Sequence, residues 1–313
     1  MFRIIIFNNM NCLAFDVGGT NVKYGLIDKD LNILMSNSIF TPKNEESFIG
    51  EISKIINENI QELTSVSIAM PGFIDQSNSI YKYGTNIKFS IDFKKLSHFK
   101  DFSFHLDNDG NVAAYSEYFL NYKDHYKNLI MLTFGTGIGG GIVANKQLLR
   151  GSGSAGEIGH IATSANKKEI CNCGKTGCFE ATTSAFKWTE ALNALSIKHP
   201  ESSLSEEFQQ YPYGSLIFNK KIQLNDDEIK VRSKIISDIS SGLVSLFEIF
   251  DNEIFVLGGT MSNEPFDLVD LIEEHIKNKF DFPARNFPII KISKNKQNAG
   301  IIGAAAIALS ESK

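Results

Sequence analysis

No stretch of the sequence reaches the ~20 consecutive apolar residues that a membrane-spanning helix needs. The opening MFRIIIFNNMNCLAFDVGG is mildly apolar and runs straight into a strand without a small-residue cleavage site, so it does not read as a signal peptide. Met10 begins a more natural start, and residues 1–9 are expected to be an extension that adds little. Basic residues are not in excess. The formal net charge of −5 argues against the basic face or stripe of a nucleic-acid-binding surface. Cysteine is scarce, at four residues in 313, and with no export signal a reducing cytoplasm is the expected home. That weighs against structural disulfides. A G-x-x-x-x-G-K-[ST] loop is also missing, which excludes a P-loop protein.

What is present has globular composition, 42% hydrophobic and 21% charged, in a chain long enough for two domains. Residues 12–40 predict three strands, CLAFDVGG, VKYGLID and LNILMSNSIF, joined by tight turns. Over 46–63, Phe48, Ile52, Ile55, Ile56, Ile60 and Leu63 share one helical face, and SVSIAMPG then predicts a short buried strand. Strands alternating with a long helix imply an α/β domain. The layout recurs at 128–151, NLIMLTFGTGIGGGIVANKQLLRG: strand, glycine loop, strand, turn, strand. We read this as an internal duplication, two similar domains facing each other across a cleft. Residues 225–250 predict a helix with an acidic, capped start and a buried face of Ile235, Ile236, Ile239, Leu243, Phe247 and Phe250. The strand EIFVLGG follows, and AGIIGAAAIALSES predicts a small-residue helix able to pack closely on a neighbour. Residues 196–224 carry no chemical signal.

Phosphate oxygens need convergent backbone N–H groups, and glycine lets the main chain approach them closely. The loop DVGGT, Asp16 to Thr20, adds a carboxylate suited to hydrated Mg²⁺. GTGIGGG, from Gly135 to Gly141, supplies a second cradle, and Gly258 with Gly259 a third close approach. Three such loops on a duplicated scaffold point to a nucleotide clamped between domains. In HLDNDGNVAAYSE a strand runs into Asn108 and Asp109 and a helix begins. Asp109 there either accepts a proton from a substrate hydroxyl during phosphoryl transfer or caps the helix.

His160, Cys171, Cys173 and Cys178 give the spacing H-x₁₀-C-x-C-x₄-C, a closed tetrahedral set for structural zinc. Gly174 and Gly177 allow the turn that returns Cys178 toward Cys173. A Cys171–Cys173 disulfide would be strained and would leave an odd thiol, and a nucleophilic cysteine would leave two thiols unexplained. Cys12, in the first strand, reads as an inert core residue.

The succession D-x-G-G-T, N-D, G-T-G-x-G-G-G, G-E-x-G-H and C-x-C-G-x-x-G-C-x-E resembles the signature of the ROK family of repressors, open reading frames and kinases, from about Asn11 to the C-terminal helix. The resemblance implies an actin-like (ribonuclease H-like) fold of two duplicated α/β domains, residues 1–120 completed by helix 299–313, and residues 121–298 with the zinc loop. They would close over a sugar and ATP with Mg²⁺. It implies Asp109 as general base, and Asn108, Glu157, His160 and Glu180 as sugar ligands, with His160 also on zinc. Asp16, Gly18, Gly19, Thr20, Gly135, Thr136 and Gly137 would surround the phosphates, and Gly258 and Gly259 would lie near the adenosine. Two departures stand out: NDGN replaces the usual N-D-A-N, and YKYGTNIKF replaces a P-N-x loop, where Asn86 takes the asparagine's part. The implied activity is an ATP-dependent kinase of a hexose, an N-acylhexosamine or a β-glucoside, by resemblance a homodimer. The rival within the family is a non-enzymatic sugar-responsive regulator. Such regulators place a helix-turn-helix before the first glycine loop, which here begins at Asp16, so the kinase is expected.

Overall fold

The computed structural model describes residues 11–84, 86–100, 102–163, 169–260, 263, 266–294 and 298–311. The extension expected over residues 1–9 lies outside the described residues. The apolar runs become two five-stranded sheets. In the first, β1 (Cys12–Val17) pairs antiparallel with β2 (Asn21–Ile27), and β2 antiparallel with β3 (Ile33–Phe40). On its other side β1 pairs in parallel with β4 (Ser65–Met70). Three short strands, β5 (Phe73–Asp75), β6 (Ile80–Tyr83) and β7 (Ile91–Asp92), form a small separate sheet, and β8 (Ser103–Asn108) then joins β4 in parallel. The second sheet repeats the scheme. β9 (Leu129–Phe134) pairs antiparallel with β10 (Ile138–Ala144), which leads to β11 (Gln147–Leu148). β9 also pairs in parallel with β12 (Ile254–Gly259), and β12 with β13 (Ile289–Ile292). The orders β3-β2-β1-β4-β8 and β11-β10-β9-β12-β13 are the same design used twice. This is the actin-like fold expected from the sequence.

Parallel pairing needs crossover connections, and helices supply them. Helix α1 (Glu45–Asn59) starts where Asn44 accepts from the Ser47 amide, and it buries Phe48, Ile52, Ile55 and Ile56. It stops earlier than its apolar face suggests: Asn59 Nδ2 donates to the Ile55 carbonyl at 2.8 Å, and Ile60–Glu62 tightens into a 3-10 turn. Helix α2 (Asp109–Glu117) follows β8, and α3 (Glu180–Thr183), α4 (Ala185–Lys198) and α5 (Ser203–Gln210) precede α6 (Asp226–Phe250). A reciprocal Asn225–Glu228 capping box starts α6. Its buried face includes Leu246 as well as the expected residues, while Phe250, in the last turn, is only half-buried. Helix α7 (Leu268–Lys279) lies between β12 and β13.

The chain divides into two compact units: the described residues of Met1–Lys123, Leu148–Ala155 and Asn295–Lys313, and those of Asp124–Gln147 and Gly156–Lys294. The sequence offers no ground for assigning Leu148–Ala155 to the first unit; Arg150 supplies one, through ion pairs with Asp107 and Glu311. Cys12 is fully buried in β1, and burial pushes its thiol up to about 12, so it is an unreactive core residue. Among the described residues, no helix is long and apolar enough to cross a membrane.

Helix α8 (Ala299–Glu311) packs into the first unit by its small side chains. A Cβ on Gly303 would stand 2.3 Å from the Val112 carbonyl oxygen and 2.8 Å from Ser116 Cβ, both on α2. A valine there must push the two helices apart. Gly303→Val is therefore expected to destabilise the protein by about 1–3 kcal/mol, read as a lower urea midpoint at unchanged slope. An unchanged midpoint would mean that the two helices are not held this close.

Candidate functional site

The first unit carries one glycine loop and the start of α2. Between β1 and β2 the chain turns where the Gly18 amide donates to the Asn21 carbonyl at 2.9 Å and Thr41 Oγ1 donates to the Gly18 carbonyl at 2.7 Å. Gly19 is a close approach: a Cβ there would stand 2.9 Å from Asn86 Cβ. Asn86 is thus brought against the loop. Half-buried Asp16 faces the start of α8, where a Cβ on Gly300 would stand 2.1 Å from its Oδ2. Burial pushes the Asp16 carboxyl above its ordinary range, with Lys23, its partner across β2, opposing.

At the end of β8 the capping question resolves in favour of Asn108. Its backbone is extended, and its Oδ1 accepts from the amides of Gly110 at 2.8 Å and Asn111 at 3.4 Å. Its Nδ2 donates to the Gly72 carbonyl at 3.0 Å, a carbonyl aimed there by a left-handed glycine with φ 117°. Asp109, the first residue of α2, is exposed, and one of its oxygens accepts from the Gly110 amide at 2.9 Å. A carboxylate at a helix N-terminus is stabilised as an anion.

The second unit carries the other loop and the thiol cluster. The turn between β9 and β10 is three residues, with the Gly135 amide donating to the Gly137 carbonyl at 2.9 Å and the Gly135 carbonyl held by the Phe186 amide at 3.1 Å. Thr136 at its tip is exposed. Glu180 begins α3 and reaches the loop: its Oε2 accepts from the Ile138 amide at 3.0 Å, and a Cβ on Gly137 would stand 2.4 Å from that oxygen. Its Oε1 accepts from Cys171 Sγ at 2.9 Å.

His160, Cys171, Cys173 and Cys178 converge, with ligand atoms within 4.8 Å of one another. Cys173 and Cys178 sulfurs are 3.7 Å apart, and Cys171 Sγ is 3.6 Å from His160 Nδ1. Ligands about 2.3 Å from a common centre stand about 3.8 Å apart along a tetrahedral edge, so the donor set and its spacing fit a closed metal site. All four cysteines are free thiols. Gly174 and Gly177, at φ 85° and 78°, make the reversal that the sequence called for. The other ring nitrogen, His160 Nε2, faces Glu157 Oε2 at 3.9 Å. Burial pushes the Glu157 carboxyl up, His160 pulls it back, and Glu180 adds to the rise.

A cavity of about 520 Å³ opens in the same unit beside Gly135, Thr136 and Thr260. Thr260 follows Gly259, where a φ of 79° and the 2.3 Å at which a Cβ would stand from the Phe134 carbonyl oxygen exclude a side chain. Gly258 is buried instead, packed on Met131 and Ser293. The cavity's other walls are Phe186 and Trp188 on α4 and Tyr213, Gly214 and Ser215. These last three lie within residues 196–224, where the sequence shows no chemical signal. The run Tyr211-Pro-Tyr-Gly, a turn signal with two half-exposed rings, was the available cue.

The ROK family model matches residues 12–311. The chain is 28% identical over 312 residues to a glucokinase of Halalkalibacterium halodurans, covering 93% of this chain and 92% of that one. It is 29% identical over 303 residues to an N-acetylmannosamine kinase of Haemophilus influenzae, covering 95% and 94%. Among solved structures it resembles a ROK family glucokinase from Streptomyces griseus in complex with glucose and AMPPNP, with TM-score 0.74, 25% identity, and coverage of 96% and 99%.

Protein purified without chelator is expected to carry about one metal ion per chain in this cluster, measured by elemental analysis. Cys178→Ser should lose it and melt at a lower temperature, because metal binding at such a site is linked to folding. Metal-free protein whose melting is indifferent to chelator would show that the thiols converge for another reason.

Proposed function

The chain belongs to the ROK family, and we propose that it is an ATP-dependent sugar kinase, transferring the γ-phosphate of ATP to a hydroxyl of a hexose, an N-acylhexosamine or a β-glucoside. The observation that carries this reading is the state of Asp109: exposed at the first turn of α2, while Asn108 does the capping. An exposed carboxylate at that position, in a chain that also keeps both glycine loops, suits a general base. The names of the kinases it resembles support the same activity.

Asp109 would accept the proton of the acceptor hydroxyl as the new phosphorus–oxygen bond forms. The sugar would be held by Asn108, Asn86, Glu157, His160 and Glu180. Gly18, Gly19 and Thr20, and Gly135, Thr136 and Gly137, would surround the phosphates, with the Gly18 and Gly135 amides holding the turns and the amides of Gly19, Thr20, Thr136 and Gly137 offered to phosphate oxygens. Asp16 would hold hydrated Mg²⁺, which offsets charge on the phosphates when bound; a carboxylate pushed up by burial gains from such a cation. The cavity beside Thr136 and Thr260 suits the adenosine, with Gly258 and Gly259 letting β12 approach it.

Zinc is the metal that three thiolates and an imidazole fit best. It would fix Cys171 as a thiolate, which cannot donate a hydrogen bond, and so leave Glu180 Oε1 open to a sugar hydroxyl.

ADP release measured across a panel of hexoses, N-acylhexosamines and β-glucosides tests the activity and names the sugar. Turnover is expected to require ATP and Mg²⁺, and turnover that survives EDTA would overturn the reading. Asp109→Asn keeps size and cannot accept the proton, so kcat is expected to fall by ~10²–10⁴ while sugar affinity by calorimetry changes far less. A small loss of kcat would remove Asp109 as base and leave Glu157 as the next candidate.

A further inference from the structure

Asp107 sits two residues before Asp109 and is buried, with 3% of its side chain exposed. Its Oδ1 accepts from the Asn108 amide and from Asn111 Nδ2, each at 2.8 Å, so it grips the chain on both sides of Asp109. Its Oδ2 accepts from Arg150 Nε at 2.7 Å. Arg150 comes from the segment Leu148–Ala155, and its Nη2 donates to Glu311 Oε1 at 2.6 Å, in the last turn of α8. The other oxygen of Glu311 stands 3.3 Å from His105 Nδ1 on β8. One guanidinium therefore joins three segments of the first unit immediately behind the start of α2.

The chemistry of the cluster is one-directional. All three groups on the Asp107 carboxylate are donors: a backbone amide, a side-chain amide and a guanidinium. A protonated carboxyl would turn one acceptor into a donor and break one of these bonds. Removing the cation from a buried, paired carboxylate leaves it uncompensated, which is costly. Burial disfavours the charge on Arg150, yet Asp107 and Glu311 hold the guanidinium above its ordinary range. Burial likewise opposes ionisation of Glu311, and the His105 contact and Arg150 outweigh it. The planar fork of arginine serves two carboxylates at once, which a lysine cannot do with the same geometry.

We propose that Arg150 is a positioning residue for phosphoryl transfer: by pairing with Asp107 it locks the first turn of α2 and aims Asp109 at the acceptor hydroxyl. This rests on Asp109 being the base. Nothing in the sequence around Arg150 suggests it, since its partners lie 43 and 161 positions away along the chain.

The test compares Arg150→Met, Arg150→Lys and Asp109→Asn by turnover, sugar affinity and thermal melting. Arg150→Met keeps the stem and removes the charge. Its kcat is expected to fall, by up to the ~10²-fold that a misplacement of about 1 Å can cost, with sugar affinity by calorimetry nearly unchanged. Arg150→Lys restores a cation to Asp107 and should recover much of that loss. Asp107→Asn is isosteric and repeats the test from the other partner, with the same split expected between kcat and sugar affinity. Unchanged kcat in Arg150→Met overturns the proposal. So does a parallel loss of turnover, sugar affinity and melting temperature in both Arg150→Met and Asp107→Asn, which would make the cluster a structural clamp. Unchanged kcat in Asp109→Asn would instead overturn the assignment of the base.

Discussion

The carboxylate of Glu180 reaches in two directions, and the second unit's site is organised around it. One oxygen takes the amide of Ile138, the first residue after the glycine loop, and the other takes the sulfur of Cys171. A loop that needs bare backbone and a cluster that needs thiols are thereby tied by a single side chain. The bare backbone of Gly137 makes room for this, because a methyl group there would displace the carboxylate. A substitution at Gly137 would therefore disturb the thiol cluster together with the loop. Glu157 and His160, which approach each other at 3.9 Å, complete a short polar chain from Glu157 to the loop.

How much could be read from the sequence depended on how local the cause was. The strands were legible because CLAFDV and LIMLTF are buried nearly throughout and glycines bound them. The thiol cluster was legible because three of its four ligands fall within eight residues and the chemistry of thiolates is specific. The division of labour between Asn108 and Asp109 was not, since both residue types cap helices well. Backbone conformation decides it, by leaving Asn108 extended and taking Asp109 into the helix. The cavity wall at Tyr213–Ser215 was invisible for a different reason. Those residues matter through where α4 puts them: the Gly214 backbone lies against Thr189, too close for any side chain. No residue type in the stretch announces that. Packing across long separations leaves little trace in a single sequence.

The duplication also shows how one scaffold diverges. Aligned by strand, Asp16 of β1 corresponds to Thr133 of β9, and the loops that follow differ by one residue between paired ends, Val17 with Val22 against Phe134 with Ile138. The first copy keeps an acid beside its glycines and the second does not. The second instead accepts an acid from elsewhere, Glu180 of α3. Both loops therefore combine bare amides with a carboxylate, but only one carboxylate is encoded in the strand itself.

Helix α8 closes the first unit although it is the last of the described elements to be made. Its glycine and alanine face fills space against α2, and its Glu311 completes the arginine cluster. Roughly 180 residues separate the end of α2 from the start of α8, so at typical synthesis rates the nascent first unit waits on the order of 10–40 s for its missing helix. The second unit, whose elements all lie between residues 124 and 294, has every piece in hand sooner. Order of emergence and order of completion are thus reversed. During that interval the apolar side of β1 and α2 is a surface for chaperones to shield, a burden on biogenesis set by where one helix sits in the chain.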